Sequence, residues 1–284
     1  GRADLEQGTG DWNSDDIDAA TGTDQLFWDT DIERFSQKYT AGTYWYPSTA
    51  VSTATQYYYR TRETDYAFPR DNTFNSAVSA NRYPAYIPVQ ELTTHDLNAR
   101  VTLKPCSVVT STSRYDFQLN KRYNGVGSLE TVESGDIRTH ILSESITWNP
   151  LARLYMQGTL TWVFSDTDTQ ADERTGAAKD EVFDFQNSYW QAGFLTGYAL
   201  TDDTDLQAQY SFYRAYNYLD NSGQSMPYGA ENEEHRVSLG LLYRISENIR
   251  WNIKYGFMRN LDQTSGSHNN FDAHLAYSSV DVAF

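Results

Sequence analysis

From Tyr39 onward apolar and polar residues alternate along the chain with a period of two, and helical periodicity is almost absent. Trp251, Ile253, Tyr255 and Phe257 fall in one phase, with Asn252, Lys254 and Gly256 in the other. The preceding stretch sets Val237, Leu239, Leu241, Tyr243 and Ile245 against Arg236, Ser238, Gly240 and Arg244, and only Ser246-Glu247-Asn248 separates the two. That spacing predicts a tight hairpin. Leu206, Ala208, Tyr210 and Phe212, then Leu154, Met156, Leu160, Trp162 and Phe164, then Tyr115, Phe117 and Leu119 follow the same rule. Successive side chains of a strand point to opposite faces, so each stretch predicts a strand with one apolar and one polar side. In 137–148 the phase of Leu142, Ile146 and Trp148 also carries Glu144, which leaves the faces of that strand open.

Short turns are predicted near Pro47-Ser48, Pro105-Cys106, Asn149-Pro150, Thr201-Asp202 and Ser246-Glu247. They alternate with long polar loops over 66–92, 122–137, 166–187, 219–233 and 261–269. Eleven strands of about 12–16 residues result, against a globular mean of about 5–6, and Gln25–Arg34 offers a twelfth. A soluble β-sandwich would also show alternation, but it rarely needs such length. A tilted strand crossing a bilayer needs about 9–11 residues plus projecting ends. Rings gather at strand ends (Tyr44, Trp45, Tyr46; Tyr57, Tyr58, Tyr59; Tyr213, Tyr216, Tyr218), where bilayer interfaces favour them. The expected fold is all-β, an antiparallel transmembrane β-barrel with about 11–12 strands in this chain. Residues 1–35 read as an acidic segment or a partial first strand, and 36–284 as the barrel.

Composition narrows the picture. Apolar residues are 39% of 284, yet aromatics reach 15%, with 22 Tyr, 13 Phe and 7 Trp, which argues against disorder. No run of apolar residues is long enough for a transmembrane helix, and that leaves a barrel untouched. A net charge of -16 opposes general affinity for nucleic acid. The single Cys106 excludes an internal disulfide, a thiolate zinc cluster and a CxxCH haem attachment, so no cofactor is expected within the chain. Gly1 is not an initiator methionine, which reads as a mature form or part of something longer.

The ending Val280-Asp281-Val282-Ala283-Phe284 resembles the C-terminal assembly signal of Gram-negative outer-membrane proteins. The resemblance implies that Val280, Val282 and Phe284 are read by the barrel-assembly machinery. Phe271, Ala273, Leu275 and Tyr277 share the opposite phase, so a bulge near Ser278-Ser279 is expected. A second resemblance rests on "YTAGTYWYP", "TQYYYRTRETDY", "SRYDFQLNKR", "LARLYMQGTLTWV" and "YGFMRNLDQTSG". These hairpins look like the barrel partners of multi-haem cytochromes in outer-membrane electron conduits, the decahaem-associated outer-membrane barrel family. Members of that family are usually longer, which implies the C-terminal part of a wider barrel and a periplasmic multi-haem cytochrome as partner.

Parity places Lys38, Arg60, Arg100, Lys104, Arg114, Arg153, Arg236, Arg244 and Lys254 inward, opposed only by Asp96 and Asp116. Arginine facing lipid at the midplane costs about 2–4 kcal/mol, which favours the lumen. The bland account is a solvated lining paired with loop carboxylates, and the sharper one is a lumen that favours anions. Asp11, Asn13 and Asp15 have the D-x-N-x-D spacing of a calcium loop, but Asp16 stands at the glycine position and Gly22 where a bidentate Glu belongs. A solvated acidic stretch is the better reading, and no metal site is expected. No enzyme is expected either: His140 and Ser143, three apart, face opposite sides.

Three functions remain: a porin-like channel for small polar or anionic solutes, with 66–92 as a candidate constriction loop; a sheath for a multi-haem cytochrome; and a surface-binding or adhesion barrel. The chain is expected in the bacterial outer membrane, in contact with the lipid bilayer. Phe284→Asp is expected to lower the amount of chain in outer-membrane fractions and leave degraded or aggregated material in the periplasm. Unchanged outer-membrane levels on immunoblots would remove the assembly-signal reading.

Overall fold

The computed structural model describes residues 1–17, 24–67, 88–125, 131–169, 184–219 and 229–282, with the side chains of 12–17 and 24–30 outside the description. Thirteen antiparallel strands form one sheet: β1 (Arg2–Ile17), β2 (Asp24–Ser48), β3 (Val51–Ala67), β4 (Val89–Cys106), β5 (Val109–Gly125), β6 (Val132–Leu151), β7 (Leu154–Thr169), β8 (Phe185–Gln186), β9 (Tyr189–Ala199), β10 (Thr204–Tyr216), β11 (Glu231–Ser246), β12 (Ile249–Asp262) and β13 (Phe271–Val282). Each pairs with its sequence neighbours, except that the two-residue β8 is a side branch on β7 and β9 continues the sheet from β7. Among the described residues β1 pairs only with β2 and β13 only with β12, so these two are the sheet's edges.

The count exceeds the expected number through β1, which pairs with β2 with Asp11 opposite Asp31, and through the two-residue β8; the expected twelfth strand at 25–34 is the start of β2, and the boundary drawn at 35 falls inside it. Short turns at 49–50, 107–108, 152–153, 200–203 and 247–248 share one edge of the sheet, within three residues of their expected places. Three of them follow a register shift that contains a proline: Pro47 between Trp45 and Ser48, Pro105 between Leu103 and Cys106, Pro150 between Trp148 and Leu151. Proline has no N–H for the ladder, so it is accommodated where the pairing already slips. The long connections lie at the other edge. Most of 66–92, the candidate constriction loop, falls outside the described residues (68–87). The connection 263–270 is described, and turns back through left-handed Gly266 (φ 64) and Ser267 (φ 71).

Cross-strand partners share a face, so the register sorts every side chain. Trp251, Ile253, Tyr255 and Phe257 lie on one face with Val237, Leu239, Leu241 and Tyr243 of β11 opposite them. Lys254 and Asn252 lie on the other. Burial is inverted relative to a water-soluble sandwich. The only buried apolar side chains among the described residues are Val163 and Ala215, whereas Ser36, Thr64, Thr94, Asp96, Asp116, Asp136, Ser165 and Asn260 are buried. Leu142, Ile146, Leu239 and Val280 stay about half exposed. A sheet that buried its apolar face against a second layer would show the reverse.

Glu144 is placed by its partners. Ser113 stands opposite it, flanked by Tyr115 opposite Leu142 and Ser111 opposite Ile146, so Glu144 sits on the apolar face. Both serine hydroxyls donate to its carboxylate, Ser111 at 2.6 Å. In β13 the expected bulge is absent: the register with β12 runs unbroken through Ser278 and Ser279. Val280 and Val282 therefore share the apolar face with His274 and Ala276, and Phe271, Leu275 and Tyr277 lie on the polar face.

Single cysteines at 251–257 are expected to react with a water-soluble thiol reagent in a period of two, with 252, 254 and 256 labelled and 251, 253, 255 and 257 protected in vesicles. Uniform protection, or a period near 3.6, would refute the two-faced strand.

Candidate functional site: the basic polar face

The polar face is concave over β1–β5, where five neighbouring strands line one cavity of about 580 Å³. Its walls carry Arg2 from β1, Thr40 from β2, Gln56 from β3, Asn98 and Arg100 from β4, and Thr112 and Arg114 from β5. All share the polar phase, which is what a sheet curling around that face requires.

Arg100 and Arg114 are direct cross-strand partners. Like charges at such positions repel, and one acid answers them. Asp116, 4% exposed, accepts from Arg114 Nη2 at 2.7 Å and from Asn98 Nδ2 at 3.1 Å. Its other oxygen, Oδ1, is buried without a partner. Arg100 makes no hydrogen bond or ion pair among the described residues. Arg2 Nε donates to Asp4 Oδ1 at 2.7 Å. Lys38 and Arg60 form a second directly opposed pair, and Lys38 Nζ lies 4.1 Å from the centre of the Tyr58 ring. The cavity thus joins excess positive charge with amide and hydroxyl groups that turn to accept or donate.

The register puts Lys38, Arg60, Arg100, Arg114, Arg236, Arg244 and Lys254 in the polar phase. Lys104 falls in the slip between Leu103 and Cys106, where its N–H donates to Ala50 O at 2.7 Å, and Arg236 Nη2 donates to Glu234 Oε2 at 3.0 Å. One assignment needs correction. Arg153 lies in the turn 152–153, outside the strands, where Nη2 meets Asp202 Oδ1 at 3.1 Å. Arg244 keeps the polar phase opposite Arg250 and donates from Nε to Asp203 Oδ1 at 2.8 Å. Both guanidiniums thus reach the neighbouring 200–203 turn. The polar phase also holds Arg34, Arg62, Arg122 and Arg250, and the acids Asp4, Glu6, Asp205, Glu234, Asp262 and Asp281 beyond the two expected. Arg122 came within reach because β5 continues beyond its expected end, whereas Arg62 and Glu234 lie inside the expected strands, in phase with Arg60 and Arg236.

Charge is uneven around the face. On β6, β7 and β9 it presents Ser143, Ser145, Thr139, Thr159, Thr161 and Gln191 with no lysine or arginine. There Tyr155 lies flat over Gly197, whose missing Cβ would fall 2.1 Å from the ring, and its hydroxyl accepts from Gln207 Nε2 at 2.9 Å.

Asp11, Asn13 and Asp15 stand on β1 opposite Asp31, Asp29 and Phe27, in an extended ladder. A calcium loop must wrap its ligands around one point, and a strand spreads them along a line, which overturns that candidate. Asp11 is exposed, and the side chains of Asn13 and Asp15 lie outside the described residues. His140 and Ser143 occupy opposite faces. Of the assembly-signal residues, Val280 and Val282 are on β13 and Phe284 lies outside the described residues.

No protein-family model and no curated protein sequence matches the chain. Among solved structures, the copper transporter OprC superposes with a TM-score of 0.53 at 12% identity, over 98% of this chain and 46% of that one. The chain therefore spans about half the transporter's length. The ferric-catecholate import receptor Fiu from E. coli K12 gives 0.47 at 12% identity over 91% and 44% of the two chains. A Pseudomonas aeruginosa FadL homologue gives 0.40 at 12% identity over 99% and 73%. The first of these carries the fold: the sheet has the architecture of an outer-membrane barrel.

Asp116→Ala strips acceptors from Arg114 and Asn98. It is expected to lower the unfolding free energy by about 1.5–3 kcal/mol, the range for hydrogen bonds to charged groups. A lower urea midpoint of the chain folded in vesicles would register it; an unchanged midpoint would mean that Asp116 does not hold the arginine.

Proposed function

We propose that this chain forms the wall of an outer-membrane channel whose aqueous path runs along the basic polar face and favours small anionic or polar solutes. The observation that carries the reading is the inverted burial: the sheet leaves large apolar side chains such as Leu142, Ile146, Leu239 and Trp251 exposed on one face and buries Ser36, Thr64, Thr94, Asp96 and Asp116 on the other. Exposed apolar surface on that scale calls for hydrocarbon as its neighbour. The same requirement supports a place in the bacterial outer membrane, where spanning sheets occur.

Selectivity follows from the charge on β2–β5. Inside a narrow path with low-dielectric walls, the fields of Arg100, Arg114, Lys38 and Arg60 are screened less than at an open surface, where the Debye length is about 8 Å at 0.15 M salt. Among the described residues Arg100 has no acid of its own, so an entering carboxylate or phosphate meets a guanidinium that none of them compensates. The repulsion between Arg100 and Arg114 falls when an anion stands between them. Binding of this kind must stay weak for solute to leave, and the solvated arginine heads suit that.

Reversal potentials of the reconstituted chain across a planar bilayer with a salt gradient are expected to show anion preference that fades as salt rises. Arg100→Glu combined with Arg114→Glu is expected to abolish or invert it. Cation selectivity in the unaltered chain, unchanged by the double substitution, would overturn the proposal.

A further inference from the structure

Four of the five histidines repeat one arrangement on the apolar face. β3, β5, β10 and β12 each rise from a short turn, and the seventh residue of each is a tyrosine: Tyr57, Tyr115, Tyr210 and Tyr255. The ninth is an aromatic residue, Tyr59, Phe117, Phe212 or Phe257. A histidine of the next strand stands directly opposite that ninth residue: His95, His140, His235 and His274. Each imidazole packs against the ninth ring, with centroids 4.9–5.1 Å apart. Each Nδ1 meets the seventh residue's hydroxyl, at 2.8, 2.8, 2.9 and 2.7 Å. The one remaining hairpin of this kind, β7 with β9, substitutes Trp162 and Trp190 at the ninth level, with ring centroids 6.2 Å apart.

Equal counts from turns on one sheet edge put the four imidazoles at one height. Nearer the turns the same face carries Leu142, Val237, Leu239 and Ile253. A little farther from the turns it carries ion pairs: Lys121 with Glu133, Arg138 with Asp168, Arg214 with Glu233 and Arg259 with Asp272. The histidines therefore mark the line where apolar surface gives way to charge. A phenol hydroxyl beside apolar residues is satisfied by donating to Nδ1, which leaves the proton of a neutral imidazole on Nε2. Among the described residues Nε2 has no partner in His95, His140 or His274; in His235 it meets Glu233 Oε1 at 3.0 Å. Three oriented N–H donors thus face outward at a single depth.

We infer that this Tyr–His girdle binds the phosphate groups of membrane lipids in the leaflet on the side of the long connections. The inference rests on the bilayer reading above. Phosphate oxygens accept from N–H groups, and lipid phosphates lie in a plane at the boundary of the hydrocarbon, which is where the donors stand. A free phosphate ion has no reason to meet donors spread around four hairpins at one height. The tyrosine and the ninth ring fix each imidazole's direction, so the donor is held ready before lipid arrives.

The test uses the whole chain with ¹⁵N-histidine in vesicles of phosphatidylcholine and phosphatidylglycerol, with Trp251 quenching by brominated lipid measured on the same sample. Dephasing of the Nε2 signals of His95, His140 and His274 by lipid ³¹P is expected. Quenching without dephasing would overturn the girdle and leave the bilayer placement standing, whereas absence of quenching would overturn both. In native mass spectra, H95F/H140F/H274F is expected to lose the phosphatidylglycerol that the unaltered chain retains, and H95Q/H140Q/H274Q, which keeps an N–H donor, to retain it. Equal retention by the phenylalanine variant would overturn the inference. So would dephasing that appears only on addition of inorganic phosphate, because a free ion would then be the ligand.

Discussion

A wall one residue thick has no interior in which to hide a backbone amide. The N–H and C=O groups of this sheet must find their partners on the next strand, because among the described residues neither face carries a second layer. Long, unbroken antiparallel ladders are the answer, and they govern what the sequence can contain. Pro47, Pro105 and Pro150 collect at the one edge where the ladder slips before a short turn. The two faces then diverge: side chains separated by a single residue meet opposite surroundings, and alternation is the direct record of it.

That record made most of the sheet legible. The phases of β10, β11 and β12 follow from counting by two, as does the short turn that joins β11 to β12. Legibility ended where counting by two loses its contrast. Glu144 broke the apolar phase of β6, and only Ser111 and Ser113 across the ladder explain how a carboxylate is kept there. The acidic first hairpin has too little apolar alternation to announce two strands. Arg153 lies in a turn, where strand parity no longer sets side-chain direction. The Tyr–His pairs were invisible for another reason: each joins two strands, so it exists only once the register is known, although the sequence carries a tyrosine two residues before an aromatic after four of the five short turns.

Uneven charge on the polar face has a mechanical side as well. β2–β5 hold opposed cations, Lys38 with Arg60 and Arg100 with Arg114, which push those strands apart, and Asp116 works against that push. On β6, β7 and β9 neutral hydroxyls and the Tyr155–Gly197 contact knit the same face together. The half of the wall that is suited to attract an anion is therefore the half under internal repulsion, and an anion bound there would also act as a brace.

The last strand carries a consequence of its own. β13 places Val280 and Val282 on the apolar face but Phe271, Leu275 and Tyr277 on the polar one, so neither of its faces is distinctly the greasier. Elsewhere a slip of one residue would swap every side chain to the wrong surroundings, and that penalty locks the register. At β13 the penalty nearly vanishes. The outer edge of this strand is a seam whose alignment is decided by whatever meets it, since its own side chains express little preference.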